Sequence, residues 1–150
     1  MRHPIRLVVL AAIVGVVSII AVWIRPVALP EASTVSIGGT TITVTLATSP
    51  TQRERGLSGR ARLEPNNGML FVFDAEGSHG IWMKDMNFAI DVLWLDNTGT
   101  IVDIAENVSP ATFPMVFKPN TPARFVLELP ALFAQNHSVK VGASILLPKE

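Results

Sequence analysis

The densest group of residues that could do chemistry is Trp82-Met83-Lys84-Asp85-Met86-Asn87, followed closely by Asp91. This segment combines an aromatic ring, an ammonium group and two carboxylates. A sugar or another small polar ligand can stack on an aromatic face while charged neighbours supply hydrogen bonds. We therefore predict a ligand site that uses Trp82, Lys84 and Asp91. The structural alternative is that Trp82 belongs to the core and that Lys84 and Asp91 form an ion pair.

A second group of charged residues lies upstream and contains four arginines: Arg53, Arg55, Arg60 and Arg62. Guanidinium groups bind carboxylates and phosphates through two parallel hydrogen bonds. Glu54 and Glu64 lie among these arginines, so most of them are expected to be solvated or paired. Arg60 follows Gly59, outside the predicted helix, and we include it in the predicted ligand site.

A catalytic alternative needs two carboxyl groups, which lie roughly 5–10 Å apart in glycosidases. Asp91 with Glu128 or Asp85 could supply them. Glu128 alternates with Leu127 and Leu129 in a predicted strand, however, and could therefore face solvent. Three functions stay open: a binding or accessory domain, a small hydrolase acting on envelope carbohydrate with Asp91 and Glu128, and a purely structural envelope protein.

The amino-acid composition excludes or disfavours several other kinds of site and partner. The chain contains no Cys, which excludes disulfides, thiolate zinc sites and Cys nucleophiles. Its three His residues show no metal-binding spacing, so we predict neither a metal nor a cofactor. Lys and Arg number 12, as do Asp and Glu, and this balance argues against a nucleic-acid partner.

Residues 1–25 have the features of a membrane anchor. The segment Leu7 to Ile24 is 18 residues long and carries no charge, and a helix needs about 20 apolar residues to cross a bilayer. Arg2 and Arg6 precede it, which places the N-terminus in the cytoplasm and the remainder outside the membrane, in the periplasm or at the cell surface. A cleaved signal peptide is the alternative, although its apolar region is usually shorter, about 7–15 residues.

The exported part is predicted to hold a tether, residues 26–34, and one domain, residues 35–148. It carries nine basic and 12 acidic residues, an ordinary balance that indicates no anionic partner. The expected partners are the membrane, through residues 7–24, and an unidentified small polar ligand or envelope protein.

Local patterns in the exported part predict mostly strands. Gly38-Gly39 signals a hairpin, and Ile42, Val44 and Leu46 alternate with threonines. Ser49-Pro50-Thr51-Gln52 matches a helical capping box that Gly56 would end. Residues 109–122 read as a long ordered loop and 139–147 as a last strand. The predicted fold is mainly β: a single compact sandwich- or barrel-like domain with one or two short helices, preceded by an N-terminal transmembrane helix.

Several segments, in the same order, resemble the domain of unknown function 192 family. They are residues 54–60 (ERGLSGR), 68–73 (GMLFVF), 82–86 (WMKDM), 90–96 (IDVLWLD), 99–101 (GTI) and 126–130 (VLELP). The resemblance implies a compact β-sandwich-like domain, commonly exported or tethered, and it brings no activity. The sequence departs from the family pattern at four positions, where it has Asp85, Ala89, Leu132 and Ala143.

Overall fold

The structure, a computed structural model, describes residues 32–148. The predicted anchor and most of the predicted tether lie outside the described residues. Within residues 32–148 no helix has the length and apolarity needed to span a bilayer. The first strand already begins at Ala32, so residues 32–34, which the sequence assigned to the tether, belong to the folded domain.

The described chain forms eight strands and two short helices. The strands are β1 Ala32–Ile37, β2 Thr40–Ala47, β3 Asn67–Gly77, β4 Ile81–Trp82, β5 Ile90–Leu95, β6 Ile101–Val108, β7 Val116–Phe117 and β8 Ala123–Pro130. The helices are α1 Pro50–Arg55 and α2 Phe133–Asn136, and a 3₁₀ turn spans Pro110–Thr112. The predictions of a mainly β domain and of one or two short helices are confirmed.

Six strands form one mixed sheet in the order β1-β2-β3-β8-β5-β6. Its one parallel pair among the described residues is β2 with β3, and the other neighbours are antiparallel. The C-terminal segment bridges both edges, because Leu146 pairs with Ser36 of β1 and Ser144 pairs with Thr100 next to β6. A separate two-stranded ribbon pairs β4 with β7.

The first turns fold as their residue types dictate. Gly38 and Gly39 both have positive φ, which a two-residue hairpin between β1 and β2 requires. The Ser49 side chain accepts from the Gln52 backbone N–H, and Gln52 Oε1 accepts from the Ser49 N–H in return. This capping box starts α1, and Gly56 ends it with a φ of 50°.

Both faces of the main sheet are covered by apolar side chains, which form two core clusters. The inner cluster lies against α2 and the C-terminal segment and includes Ile42, Leu70, Leu93, Leu127, Leu129 and Ile145. The outer cluster lies under the β4–β7 ribbon and the loop after α1 and includes Leu57, Met69, Phe71, Val92, Trp94 and Val126. Alternate residues of β5 and β8 therefore enter opposite cores.

Two sequence predictions about the second half of the domain are wrong. Residues 139–147 do not form a strand: Gly142 has a φ of 89° and turns the chain, so that only isolated bridges form at Ser144 and Leu146. Residues 109–122 are not simply a loop, since they contain β7, whose short length gave no strand signal.

Replacement of Gly68 by Ala tests how tightly β3 and β8 approach each other. An added Cβ would lie 2.7 Å from the backbone oxygen of Glu128, which cannot move without displacing β8. We expect Gly68→Ala to lower the free energy of unfolding by about 1–3 kcal/mol, as measured by urea denaturation in detergent micelles.

Gly77→Ala is the matched control, because its Cβ would meet only atoms of the His79 side chain, at 3.2 Å and beyond, and no backbone atom. Its effect should stay within about 1 kcal/mol. Equal losses in the two variants would contradict the close approach at Gly68.

Candidate functional site

Glu128 lies in the middle of the central strand β8 and points into the outer core. Its partners in the neighbouring strands are Met69 of β3 and Val92 of β5, both members of the outer cluster. The residue is only 4% exposed. The interpretation that Glu128 faces solvent is therefore wrong, and the reason is that the loop after α1 and the β4–β7 ribbon cover this face of the sheet.

One oxygen of the Glu128 carboxyl group lacks a hydrogen-bond partner within the described domain. Its Oε2 atom is buried and makes no hydrogen bond. Burial raises the pKa of Glu128 from its ordinary 4.5 to about 8, and the nearby Arg60 guanidinium opposes this rise. Near neutral pH the group is therefore mostly a neutral acid, which can donate one hydrogen bond and accept others.

A small pocket of about 50 Å³ opens in front of Glu128. Its lining comes from α1 and the loop after it, from β3, from β4 and from β8: Arg53, Glu54, Arg55, Gly56, Leu57, Ser58, Phe71, Gly80, Ile81, Trp82, Met86 and Glu128. The volume suits a ligand group of a few non-hydrogen atoms. One buried carboxyl in a pocket lined by both apolar and charged side chains is typical of a site that orients a small group.

Trp82 lies at the rim of this pocket and is 43% exposed. The Lys84 Nζ atom lies 5.5 Å from the centroid of the Trp82 ring, within the range of a cation–π contact. The alternative that places Trp82 in the core is wrong. The core tryptophan is Trp94, whose Nε1–H donates to the His79 carbonyl at 2.7 Å.

Exposed apolar side chains extend the rim into a platform made of Trp82, Phe113, Met115 and Val116. Phe113 meets the Trp82 ring edge-on, with 6.1 Å between centroids. Val116 pairs with Trp82 across the β4–β7 ribbon. This apolar platform places a hydrophobic surface directly beside the pocket.

Hydrogen bonds join residues 58–60, in the loop after α1 (the Arg60 loop), to the segment that follows Trp82. The Ser58 hydroxyl donates to the Lys84 carbonyl at 2.8 Å, and the Gly59 N–H donates to the Asp85 carbonyl at 2.9 Å. The Asn87 amide donates to the Arg60 carbonyl at 2.8 Å. The structure thus brings Arg60, Trp82 and Lys84 to one side of the domain.

Asp91 lies elsewhere, fully buried in the inner core. Its carboxylate accepts the backbone N–H groups of Asn107 at 2.7 Å, Leu132 at 3.1 Å and Ala134 at 2.8 Å. These bonds tie β5 to the end of β6 and to α2. The alternative of a Lys84–Asp91 ion pair is wrong, because the carboxylate is occupied by backbone donors and Lys84 is exposed.

The sheet itself separates the two acids that sequence reasoning considered as a catalytic pair. Asp91 pairs with Leu129, whereas Glu128 pairs with Val92. Residues paired across two strands have their side chains on the same face of the sheet, and successive residues of one strand point to opposite faces. Asp91 and Glu128 therefore lie on opposite faces. The structure does not bring these carboxyl groups together, and Asp91 does not line the Glu128 pocket.

The other candidate sites within residues 32–148 contain fewer groups that could bind a ligand or react. No group of three potential metal ligands occurs there. A larger open cleft of about 580 Å³ lies between β1, the start of β3 and residues 147–148. It contains none of the predicted site residues and no buried polar atom without a partner.

Sequence reasoning named Glu128 only as an acid of the catalytic alternative that could face solvent, and it missed the burial of this residue. It also missed the exposed side chains Phe113, Met115 and Val116. A usable signal for Glu128 was present. Phe125, Val126, Leu127 and Leu129 are apolar at both alternations of the strand, a pattern typical of a strand buried on both faces. An acid within such a strand is expected to be buried. No comparable signal marks the platform, which depends on the pairing of β4 with β7.

Asp91→Ala tests the structural role of Asp91. The change removes a buried carboxylate and leaves three backbone N–H groups without their acceptor, that of Ala134 buried and the other two partly buried. We expect it to lower the free energy of unfolding by about 3–5 kcal/mol. Asp74→Ala, at an exposed position of β3, should change it by less than about 0.5 kcal/mol. Urea denaturation of both variants makes the comparison, and a loss below about 1 kcal/mol at Asp91 would contradict this role.

Comparisons with known proteins agree with this fold. No curated protein matches the chain significantly. A crystal structure from Sinorhizobium meliloti 1021, provisionally described as a transcription regulator, is 33% identical, with a TM-score of 0.72 over 77% of this chain and 93% of that one. A Novosphingobium aromaticivorans DSM 12444 protein of unknown function is 21% identical, with a TM-score of 0.75 over 82% and 90% of the two chains.

The family comparison covers nearly all of the described domain. The model of the DUF192 family, described as an uncharacterized ACR, matches residues 33–147. The segments that carried the resemblance in the sequence, from the Arg60 loop to the Glu128 strand, all fall inside this match. The chain therefore belongs to the DUF192 family.

Proposed function

We propose that this protein is a membrane-tethered, extracytoplasmic binding domain whose ligand or partner docks at the Glu128 pocket, between Arg60, Trp82 and Lys84. The observation that carries the proposal is the buried Glu128 carboxyl, which lines a pocket and whose Oε2 atom lacks a hydrogen-bond partner. Buried polar groups in folded proteins are almost always satisfied. A ligand that enters the pocket would supply the missing partner.

The apolar platform supports binding as the role of this surface. Trp82, Phe113, Met115 and Val116 are between 43% and 58% exposed and adjoin the pocket. Contiguous exposed apolar side chains on a domain surface are typical of ligand or partner contacts. A purely structural role predicts neither a pocket nor such a surface.

The alternative of a carbohydrate hydrolase has less support. It requires two carboxyl groups facing one cleft, and Asp91 and Glu128 lie on opposite faces of the sheet. Asp91 is moreover held by three backbone donors. The described residues thus supply one buried acid to the pocket, Glu128, and the other acid that lines it, Glu54, is exposed on α1.

A role in transcription regulation, the provisional description of the Sinorhizobium protein, also has less support where it would require binding to DNA. Sequence-independent affinity for DNA depends on Lys and Arg neutralising phosphates. Residues 26–150 carry nine basic and 12 acidic residues. This balance disfavours an extended basic surface.

The tether restricts the ligand to the cell envelope. In this proposal residues 7–24 span the membrane, and the seven residues between Ile24 and Ala32 reach at most about 25 Å when extended. The domain would then work close to the outer surface of the membrane. Envelope sugars, peptides and partner proteins are the molecules within its reach.

A thermal-shift screen of the full chain in lipid nanodiscs tests the proposal. The panel contains envelope sugars, short peptides, nucleotides and divalent metals. A ligand at a hundredfold excess over its Kd should stabilise the folded domain by about 2.7 kcal/mol, and Trp82→Ala and Lys84→Ala should abolish the shift.

Leu146→Ala is the matched control, because Leu146 is 76% exposed and lies at the β1 edge, outside the pocket. It should keep the full shift. A ligand whose shift survives Trp82→Ala would bind elsewhere, and the absence of any shift across the panel would argue for a structural role.

A further inference from the structure

The Glu128 pocket is specific enough to indicate the chemistry of its ligand. Building on the proposed binding function, we infer that the pocket binds the carboxylate of a small ligand. Glu128, as a neutral acid, donates a hydrogen bond to one ligand oxygen, and Arg60 supplies the balancing positive charge. The Glu128 Oε2 atom is buried and makes no hydrogen bond within the described domain, so it is available to a ligand.

The charges around the pocket favour an anion. Arg53, Glu54 and Arg55 of α1 line the pocket beside Glu128. Arg60 lies in the following loop, and its charge acts on Glu128, while Lys84 and Asp85 follow Trp82 in the chain. Neighbouring β3 and β5 present only apolar side chains, Met69, Phe71 and Val92. Arg53 donates to the Thr48 and Val72 carbonyls and is already engaged.

Around the pocket the cations Arg55, Arg60 and Lys84 then outnumber the acids Glu54 and Asp85, and the Arg62–Glu64 ion pair of the same loop adds no net charge. With Glu128 neutral, the rim has a net positive charge. The Arg60 guanidinium is close enough to act on the Glu128 carboxyl. A ligand carboxylate between Glu128 and Arg60 would make charge-assisted hydrogen bonds, which are shorter and stronger than neutral ones.

A cationic ligand fits these groups less well. An ammonium or guanidinium group would require the ionised form of Glu128, which burial disfavours. It would also approach Arg60 and Lys84, which carry the same charge. A carboxylate instead uses the proton that Glu128 already holds.

The remainder of the ligand would extend over Trp82. The exposed indole ring accepts either the apolar face of a sugar or a short aliphatic chain. A sugar acid and the terminal carboxylate of an acylated amino acid share the required chemistry. Glucuronate and N-acetylalanine represent these two sources, and glucose and N-acetylalanine amide are their uncharged counterparts.

Calorimetric titration of the full chain in nanodiscs with these four probes tests the inference. We expect at least one carboxylate to bind at least tenfold more tightly than its uncharged counterpart, and the preferred pair identifies the source. The affinity should be constant between about pH 5, where the probe carboxyl groups are ionised, and about pH 8. Above pH 8 it should fall about tenfold per pH unit, because the ligand requires the proton on Glu128.

Two variants separate this mechanism from general charge effects. Glu128→Gln keeps an uncharged hydrogen-bond donor at every pH, so it should bind the carboxylate and lose the fall above pH 8. Glu54→Gln, at the exposed rim, should keep that fall. The thermal unfolding of each variant in the same nanodiscs verifies that it is folded.

Some outcomes would overturn the inference and leave the proposed function intact. These are affinity that rises above pH 8, equal binding of the uncharged counterparts, and a Trp82-dependent ligand from the thermal-shift screen that carries no carboxylate. If the screen and the titrations both find no ligand, the inference and the proposed function fail together.

Discussion

The structure depends on one constraint: β8 is the central strand of the sheet and is covered on both faces. Its residues alternate between the inner core, which receives Leu127 and Leu129, and the outer core, which receives Val126. A side chain at position 128 must therefore enter an apolar layer whatever its type. A carboxyl group there loses its water and favours its neutral form. The chemistry of the pocket follows from the position of this strand.

The same sheet separates two acids with opposite environments. Asp91 is as buried as Glu128, yet it accepts three backbone N–H groups and closes the fold around α2. Glu128 receives no such donors and borders a pocket. Burial alone therefore does not distinguish a structural acid from a functional one. The number of hydrogen-bond donors around each carboxyl group does distinguish them. It assigns Asp91 to the architecture and Glu128 to the candidate site.

Sequence patterns predicted those features that depend on neighbouring residues. The Gly38-Gly39 hairpin and the capping box of α1 are local, and both are confirmed. The order of strands in the sheet, the pairing of β4 with β7 and the bridges at Ser144 and Leu146 join residues far apart in the chain, and no local signal encodes them. Arg60, Trp82 and Lys84 were identified from their types, whereas the Glu128 pocket arises only when β8 is placed at the centre of the sheet.

The protonation of Glu128 tests the central claim most directly. Side-chain ¹³C NMR titration of the full chain in nanodiscs, with Glu128→Gln to assign the resonance, measures the pKa of this carboxyl group without any ligand. Burial in an apolar layer without donors predicts a pKa near 8, well above the ordinary 4.5. A pKa at or below 4.5 would mean that water or a charged partner reaches Glu128 in the free protein, and it would contradict the buried, neutral acid on which this account rests.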